Sequence, residues 1–513
     1  MRNRVFSRTS RRDFLGNVIG GGFALGCGLE FLSRLPSVSA EEAKLVPSLV
    51  KLDAGIEPTV RLLEETPRER LLEEVAGRIK NGLGYREVLT ALLLAGVKNV
   101  QPRPQVGFKF HAVLVINSAN LASLASADSD RWLPIFWALD RFKSAQEETR
   151  KGTGWRMSAV DAEKVPAADK AREAFVRAMD NWDEPAADAA AAALARHAPR
   201  NECFELFAQY GSRDFRDIGH KAIYVSNSFR TLECIGWHHA EPVLRSLAYA
   251  LLQFDGASPS TTDAAPDRPG RKNAERIKKI RPDWQTGKPS DEATAGLIST
   301  FRTGSDEQTC DAVVDAINGG LAVESVHDAI LSASGELLMR KVGIVTLHSV
   351  TSSNALRYAF ETCADPQLRL MLLLQNAAFV PLFRQAAGVQ DKPGAVRIDQ
   401  FEPAEASKGD ASAAVADIFT DAGRDRLSAA RKALAYLDQS GEPQELMHAA
   451  RRLVFLKGND AHDYKFSSAV LEDYGHVSSH WRNRYLAASL FYLPGSGAPD
   501  NALVGRARAA LSA

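Results

Sequence analysis

The sequence predicts an all-α protein, and three observations support this fold class. Apolar residues recur at intervals of three and four, alanine is abundant, and no segment alternates β-branched residues with polar ones. Hydrophobic residues make up 45% and charged residues 25% of the 513 residues, which excludes a disordered chain and a polytopic membrane protein. We therefore expect one large helical domain, built as a bundle or toroid-like array of antiparallel helices.

The helical periodicity is clearest in the first half of the chain, where five stretches show it. These are residues 87–97, 112–125, 132–146, 167–182 and 186–198. Two segments break the pattern, residues 254–291 and 389–412, because both are rich in Pro, Gly, Asp and Lys. We expect these two segments to be long loop insertions in a single domain that spans residues 41–513.

The first forty residues have the features of an export signal. The adjacent arginines Arg11 and Arg12 precede Phe14 and Leu15, a short glycine-rich apolar stretch follows, and small residues at 38–40 suit a signal peptidase. This pattern predicts a twin-arginine signal peptide over residues 1–40. The expected partner is the twin-arginine export machinery, and the expected location is the periplasm or another exported compartment. The apolar stretch is shorter than the ~20 residues of a membrane span, so no stable span is expected after cleavage.

Charge and motifs exclude several classes of function. Lys and Arg number 63, as do Asp and Glu, so no basic excess favours a nucleic-acid partner. The five cysteines contain no CxxC pair of the kind that holds zinc or an iron–sulfur cluster. No glycine-rich loop follows a predicted strand, so neither flavin nor NAD is expected as a cofactor.

Histidines near the starts of apolar helical stretches are the most informative feature. Six share this context: His111, His220, His239, His327, His348 and His462. Helix starts from distant parts of a chain can converge at one end of a bundle, where imidazoles can bind a metal. The alternative is that each histidine is an ordinary core or capping residue.

Helix length restricts which of these histidines can act together. The helix that contains His220 should run from about residue 217 to 235, roughly 27 Å at 1.5 Å per residue. The next helix, which starts near His239, should return antiparallel, so His220 and His239 should lie at opposite ends of the pair. The same reasoning separates His327 from His348. One site should therefore take one histidine of each pair, and the spacing leaves both choices open.

A lysine close to the last histidine offers a further ligand. His462 and Lys465 are three residues apart and share a helical face. A buried lysine has a lowered pKa, and its neutral amine can react with carbon dioxide to form a carbamate, which is an oxygen ligand. The alternative is a solvated lysine beside Asp463.

Four short motifs belong together: His111 with the helix after it, Gly219–Ile223, Leu347–Thr351 with the following 354–357, and His462–Lys465. They resemble the questin oxidase-like family, whose known enzymes open polyketide anthraquinone rings. The resemblance spans roughly residues 85–490. The export signal, the two insertions and the pair His238–His239 depart from the fungal members.

The resemblance implies a non-haem iron oxygenase with four histidines and a carbamylated lysine on the metal. Carried over by position, the ligands are His111, His220, His348, His462 and Lys465, with His239 and His327 in reserve. Fe(II) is the expected ion, and zinc or copper would also accept this donor set. Dioxygen and an aromatic or quinone-like small molecule are the expected substrates.

Other residues on the same helices are candidates for substrate contact. Trp237 and Tyr358 could line an aromatic-binding pocket, and Arg230, Arg245 and Arg357 could meet an anionic substrate. Two other hypotheses for the whole chain remain open at this point. One is a non-catalytic helical scaffold or binding protein with structural histidines, and the other is a non-covalent haem protein with axial histidines.

Overall fold

The computed structural model describes residues 55–103, 110–405, 410–439 and 443–506. Within these ranges the chain forms α-helices joined by turns and short 3₁₀ segments, and no β-strand forms there, which confirms the all-α prediction. The helices are α1 (Ile56–Glu65), α2 (Arg68–Lys80), α3 (Tyr85–Asn99), α4 (His111–Leu124), α5 (Trp132–Lys151), α6 (Ala171–Asp180), α7 (Glu184–His197), α8 (Arg200–Gly211), α9 (His220–Ile235), α10 (Ala240–Leu251), α11 (Arg268–Ile277), α12 (Asp291–Thr303), α13 (Asp306–Asn318), α14 (Val323–Arg340), α15 (Ile344–Thr362), α16 (Pro366–Ala387), α17 (Ala411–Ala422), α18 (Arg426–Asp438), α19 (Pro443–Lys457), α20 (Ala461–Asp473) and α21 (Arg482–Ala488).

Four helices from distant parts of the chain form the centre of the molecule. Helix α4 packs against α9 and α20, and α15 packs against the same two, so the four close a ring. They are buried nearly all round; in α15 every residue from 346 to 360 is buried. Their outer sides are covered by chain neighbours, since α5 packs on α4, α10 on α9, α16 on α15 and α19 on α20.

The four central helices run in the same direction. The Ser226 hydroxyl donates to the Ala355 carbonyl at 2.8 Å, and the Ser468 hydroxyl donates to the Ser118 carbonyl at 2.8 Å. Each of these residues lies six or seven positions after the candidate histidine of its own helix. The histidines near the starts of these four helices also lie together, so neighbouring helices meet at two levels and are parallel. Neighbours along the chain, such as α14 and α15, are antiparallel as expected, and outer helices carry the chain back between the four parallel central ones.

Capping residues explain where two of the helices near the site begin. Asp460 caps α20 by accepting the backbone N–H of His462, and the Asp463 side chain accepts the backbone N–H of Asp460 in return. Asp365 caps α16, whose first residue is Pro366. These caps satisfy donors that the first turn of a helix leaves free.

The first predicted insertion is not wholly a loop. Residues 268–277 within it form α11, which packs against α16 through a buried hydrogen bond of 2.9 Å from Asn273 Nδ2 to Gln375 Oε1. Pro269 in the first turn favours a helix start, although proline counts against a helix elsewhere. In the second segment, residues 389–405 contain only the 3₁₀ turn Ile398–Gln400, and residues 411–412 already belong to α17.

The predicted signal peptide, residues 1–40, lies outside the described residues. Among the described helices, none combines the length and the apolar character that crossing a bilayer requires.

Candidate metal centre

The parallel ring brings four of the candidate histidines together at one end of the ring. His111 and His220 are the first residues of α4 and α9, His462 is the second residue of α20, and His348 lies in the second turn of α15. All four are buried, and His348 has no exposed surface. Five of the ring-to-ring centroid distances lie between 4.2 and 6.0 Å.

The ring nitrogens are close enough to share one ion. Nε2 of His111 lies 2.7 Å from Nε2 of His220. Nitrogens of His111, His348 and His462 all lie within 4.8 Å of one another. Two imidazole nitrogens at right angles on one ion, each about 2.1 Å from it, are about 3 Å apart. Nε2 of His462 is buried and has no hydrogen-bond partner, which is costly unless something binds it.

Hydrogen bonds to the second ring nitrogen orient three of the imidazoles. Nδ1 of His220 donates to the Asp217 carbonyl, and Nδ1 of His348 donates to the Ile344 carbonyl at 2.7 Å. Nδ1 of His462 lies 3.0 Å from Oδ1 of Asp460, which accepts. A proton on Nδ1 leaves the lone pair on Nε2, the form that a metal ion needs.

Burial also keeps the histidines neutral. It lowers the pKa of His111, His220 and His348 well below the usual value, and the neighbouring Lys465 lowers all three further. Burial lowers the pKa of His462 as well, against the opposing effect of Asp460. Neutral imidazoles bind a cation without first releasing protons.

Lys465 completes the cluster. It is buried, and its Nζ lies 3.3 Å from Nε2 of His348. No carboxylate in the described residues forms an ion pair with it, so burial lowers its pKa to about 7. The structure thus brings together all five of the residues that the sequence singled out: His111, His220, His348, His462 and Lys465.

A left-handed turn positions His220. Asp217, Ile218 and Gly219 have φ angles of 50°, 44° and 78°. Positive φ is rare for a β-branched residue such as isoleucine, and backbone strain of this kind is concentrated at functional sites. The turn places the Asp217 carbonyl beside the imidazole that it orients.

We expect Gly219→Ala to destabilise the protein by about 2–5 kcal/mol. A methyl group would lie 2.5 Å from Oγ and 2.8 Å from Cβ of Ser352, and the positive φ adds a further cost. Gly256→Ala is the matched control, because Gly256 has φ of 83° with nothing within 4 Å of the added atom. Urea denaturation of both variants measures the difference. Equal losses would contradict the close approach to Ser352.

The two reserve histidines lie outside the cluster. His327 packs on Phe360 at 4.9 Å and makes no hydrogen bond to any described residue. Phe360 lies twelve residues beyond His348, in agreement with an antiparallel pair of helices. His239 follows the end of α9 and packs beside His238, with ring centroids 4.0 Å apart.

The candidate substrate residues fall into two groups. Trp237 packs on Phe229 and Tyr358 packs on Phe204, both at 5.8 Å, and neither lines the cavity described below. Arg245 pairs with Asp188, and Arg357 pairs with Glu361. Arg230 differs from these residues because it lines that cavity.

The cavity lies between the four central helices, next to the histidine cluster. It is small, with room for at most about one water molecule. Each helix contributes two polar residues to its wall: Asn117 and Ser118, Asn227 and Arg230, Thr351 and Asn354, Lys465 and Ser468. These residues, apart from Arg230 and Lys465, were not foreseen. They lie three to ten positions after the histidine of each helix, so polar residues at helical spacing in otherwise apolar segments would have indicated them.

Comparison with known proteins gives no relative from which a function could be transferred. No protein-family model, no curated protein and no solved structure matches this chain.

Proposed function

We propose that this protein is an exported, metal-dependent oxygenase of the non-haem iron type, acting on an aromatic or quinone-like small molecule. The observation that carries the proposal is the convergence of four neutral imidazoles and one buried lysine on a single point. Nitrogen donors without a carboxylate suit Fe(II), zinc or copper and do not suit magnesium or calcium. The resemblance to the questin oxidase-like family favours iron among these.

The four histidines would bind the ion, and neighbouring oxygen atoms orient three of their rings. His111, His220, His348 and His462 would hold the ion, while the carbonyls of Asp217 and Ile344 and the carboxylate of Asp460 keep their rings aligned. When bound, iron would relay electrons from the aromatic substrate to dioxygen, which otherwise reacts slowly with such compounds. Burial of the cluster excludes bulk water, which protects a reactive site from side reactions.

Charge balance favours a modified Lys465. A divalent cation beside four neutral histidines and an ammonium group would leave a buried excess of positive charge, which is costly. The neutral amine of Lys465 can attack carbon dioxide. A C–N bond forms, one C–O π bond becomes the electron pair of the carboxylate, and the nitrogen loses a proton to solvent. The resulting carbamate replaces a positive charge with a negative one and supplies an oxygen ligand.

Export belongs to the same proposal. Residues 1–40 would direct the chain to the twin-arginine machinery and then be removed. That route carries folded proteins, as its general property, and so allows an ion to be inserted before export.

Elemental analysis of the mature protein, purified without added metal, tests the proposal. We expect about one iron per chain and oxygen uptake with a suitable quinone or hydroxylated aromatic compound. A folded protein without metal would overturn the proposal and favour a scaffold with structural histidines. An intense visible band typical of haem would favour the haem alternative.

A further inference from the structure

The small cavity beside the histidine cluster is lined mostly by polar groups. Eight of its eleven wall residues are polar, and the others are Leu121, Ile223 and Ala469. The space inside is enough for at most about one water molecule. A buried polar atom is costly unless it bonds to another protein group or to something held beside it. Each polar atom of the wall therefore needs a partner in the protein or in the cavity.

Two buried donors in the wall have no partner among the described residues. The hydroxyl of Thr351, a residue 4% exposed, makes no hydrogen bond, and neither does Nε of Arg230, a residue 8% exposed. Arg230 is otherwise held in place, since its Nη1 pairs with Glu472 at 2.9 Å and its guanidinium lies 4.1 Å from the ring of Tyr358. Its Nε–H is therefore a fixed donor in the cavity wall.

Two amides of the wall offer acceptors. Nδ2 of Asn354 donates to Asp473 at 2.8 Å and to Glu472 at 3.1 Å, so both of its hydrogens are used. Nδ2 of Asn117 donates to Oδ1 of Asn227 at 3.4 Å. These bonds occupy the nitrogen atoms and leave Oδ1 of Asn354 and Oδ1 of Asn117 able to accept.

We infer that the cavity is a binding site for one ordered water molecule. The water would accept hydrogen bonds from Nε–H of Arg230 and from the hydroxyl of Thr351. It would donate its own two hydrogens to Oδ1 of Asn354 and Oδ1 of Asn117. Buried waters typically make about three hydrogen bonds, so these four partners satisfy one fully. The partners lie on α4, α9 and α15, so the water would connect three of the four central helices.

A small anion such as chloride is the main alternative occupant, because Arg230 and Lys465 line the cavity and no acidic side chain does. Two features favour water over an anion. Glu472 already neutralises Arg230, and the two amide oxygens would repel a negative charge. The role of Arg230 changes as well. Held between Glu472 and the water, it is not available to the anionic substrate that its place in the sequence suggested.

A crystal structure of the unmodified protein, at a resolution that shows ordered waters, tests the inference. We expect one water in the cavity, at about 2.7–3.2 Å from Nε of Arg230. Data from a crystal soaked in bromide distinguish the anion, because bromide scatters anomalously. An empty cavity, or a bromide peak inside it, would overturn the inference.

Two alanine variants test the same site in solution. Ala469→Val should displace the water and lower the number of long-lived internal waters, measured by ¹⁷O magnetic relaxation dispersion, by one. Ala122→Val is the matched control, since Ala122 lies on α4 outside the cavity wall and both alanines are 5% exposed. It should leave the number unchanged. An unchanged number in Ala469→Val, with the helices intact by circular dichroism, would contradict the inference.

The water site does not depend on the proposed function, and the measurements separate the two. Both chelated and metal-loaded protein should hold the water, because none of its four partners is a proposed metal ligand. A protein that keeps the water but binds no metal would contradict the proposed function alone. A protein that binds metal with an empty cavity would overturn the water site alone.

Discussion

His348→Ala is expected to remove the metal from the protein. His348 is fully buried, its Nδ1 is fixed by the Ile344 carbonyl, and its Nε2 faces both the other histidines and Lys465. Loss of an outer-shell partner alone costs about 10–100-fold in metal affinity, so loss of a ligand should cost more than about 100-fold. Metal content after dialysis against a weak chelator measures this effect.

His327→Ala provides the matched control for this experiment. His327 is also a buried histidine, but it lies on the antiparallel helix α14 and contacts Phe360 at the far end of α15. We expect this variant to keep its metal and to lose only packing energy. If both variants lose metal equally, the loss reflects unfolding and the metal centre would have to be placed elsewhere.

Lys465→Ala is expected to lose most of the bound metal, because it removes the negative ligand that a carbamate supplies. Small carboxylic acids such as formate should restore part of the metal content by occupying the vacated space. Labelling the unmodified protein with ¹³C-bicarbonate should give one carbamate resonance in the NMR spectrum, which the variant lacks. A Lys465→Ala protein with full metal content would contradict the carbamate.

Lys221 is an internal control for the labelling. It is as deeply buried as Lys465, but its Nζ forms an ion pair with Asp214 at 2.9 Å. The ion pair favours the protonated amine, which cannot attack carbon dioxide. A second carbamate resonance assigned to Lys221 would show that burial alone, rather than the surroundings of Lys465, controls the modification.

The sequence was sufficient for the fold class and for the rule that one site takes only one histidine of each pair. Helical periodicity is visible in nearly every segment. Helix length predicts at which end of an antiparallel helix pair a residue lies. Hence His220 could be placed at the opposite end of its helix pair from His239, and His348 at the opposite end from His327. Which of the paired histidines lie together depends on which helices are neighbours. No local pattern in the sequence shows that His220 and His348 lie at the same end of the central ring.

Other features depend on contacts between distant segments. Helix α11 is stabilised by packing on α16, so a composition rich in proline and glycine misled the prediction there. Helical spacing could indicate the polar wall residues one helix at a time, but that they line one cavity follows only from the parallel central helices, which align residues such as Asn227 and Ser468. Tyr358 was expected to contact the substrate. Its ring instead lies 4.1 Å from the guanidinium group of Arg230.

The parallel ring also determines when the metal centre can form. Its contacts join residues 109, 117 and 350 positions apart in the chain. Such pairings close long loops and are late events in folding, because the chain must lose entropy before they contribute stability. A chain that ends before residue 462 lacks the fourth helix of the ring and cannot complete the centre. Insertion of the proposed ion would therefore follow synthesis of the chain, and the topology would require folding to come before loading.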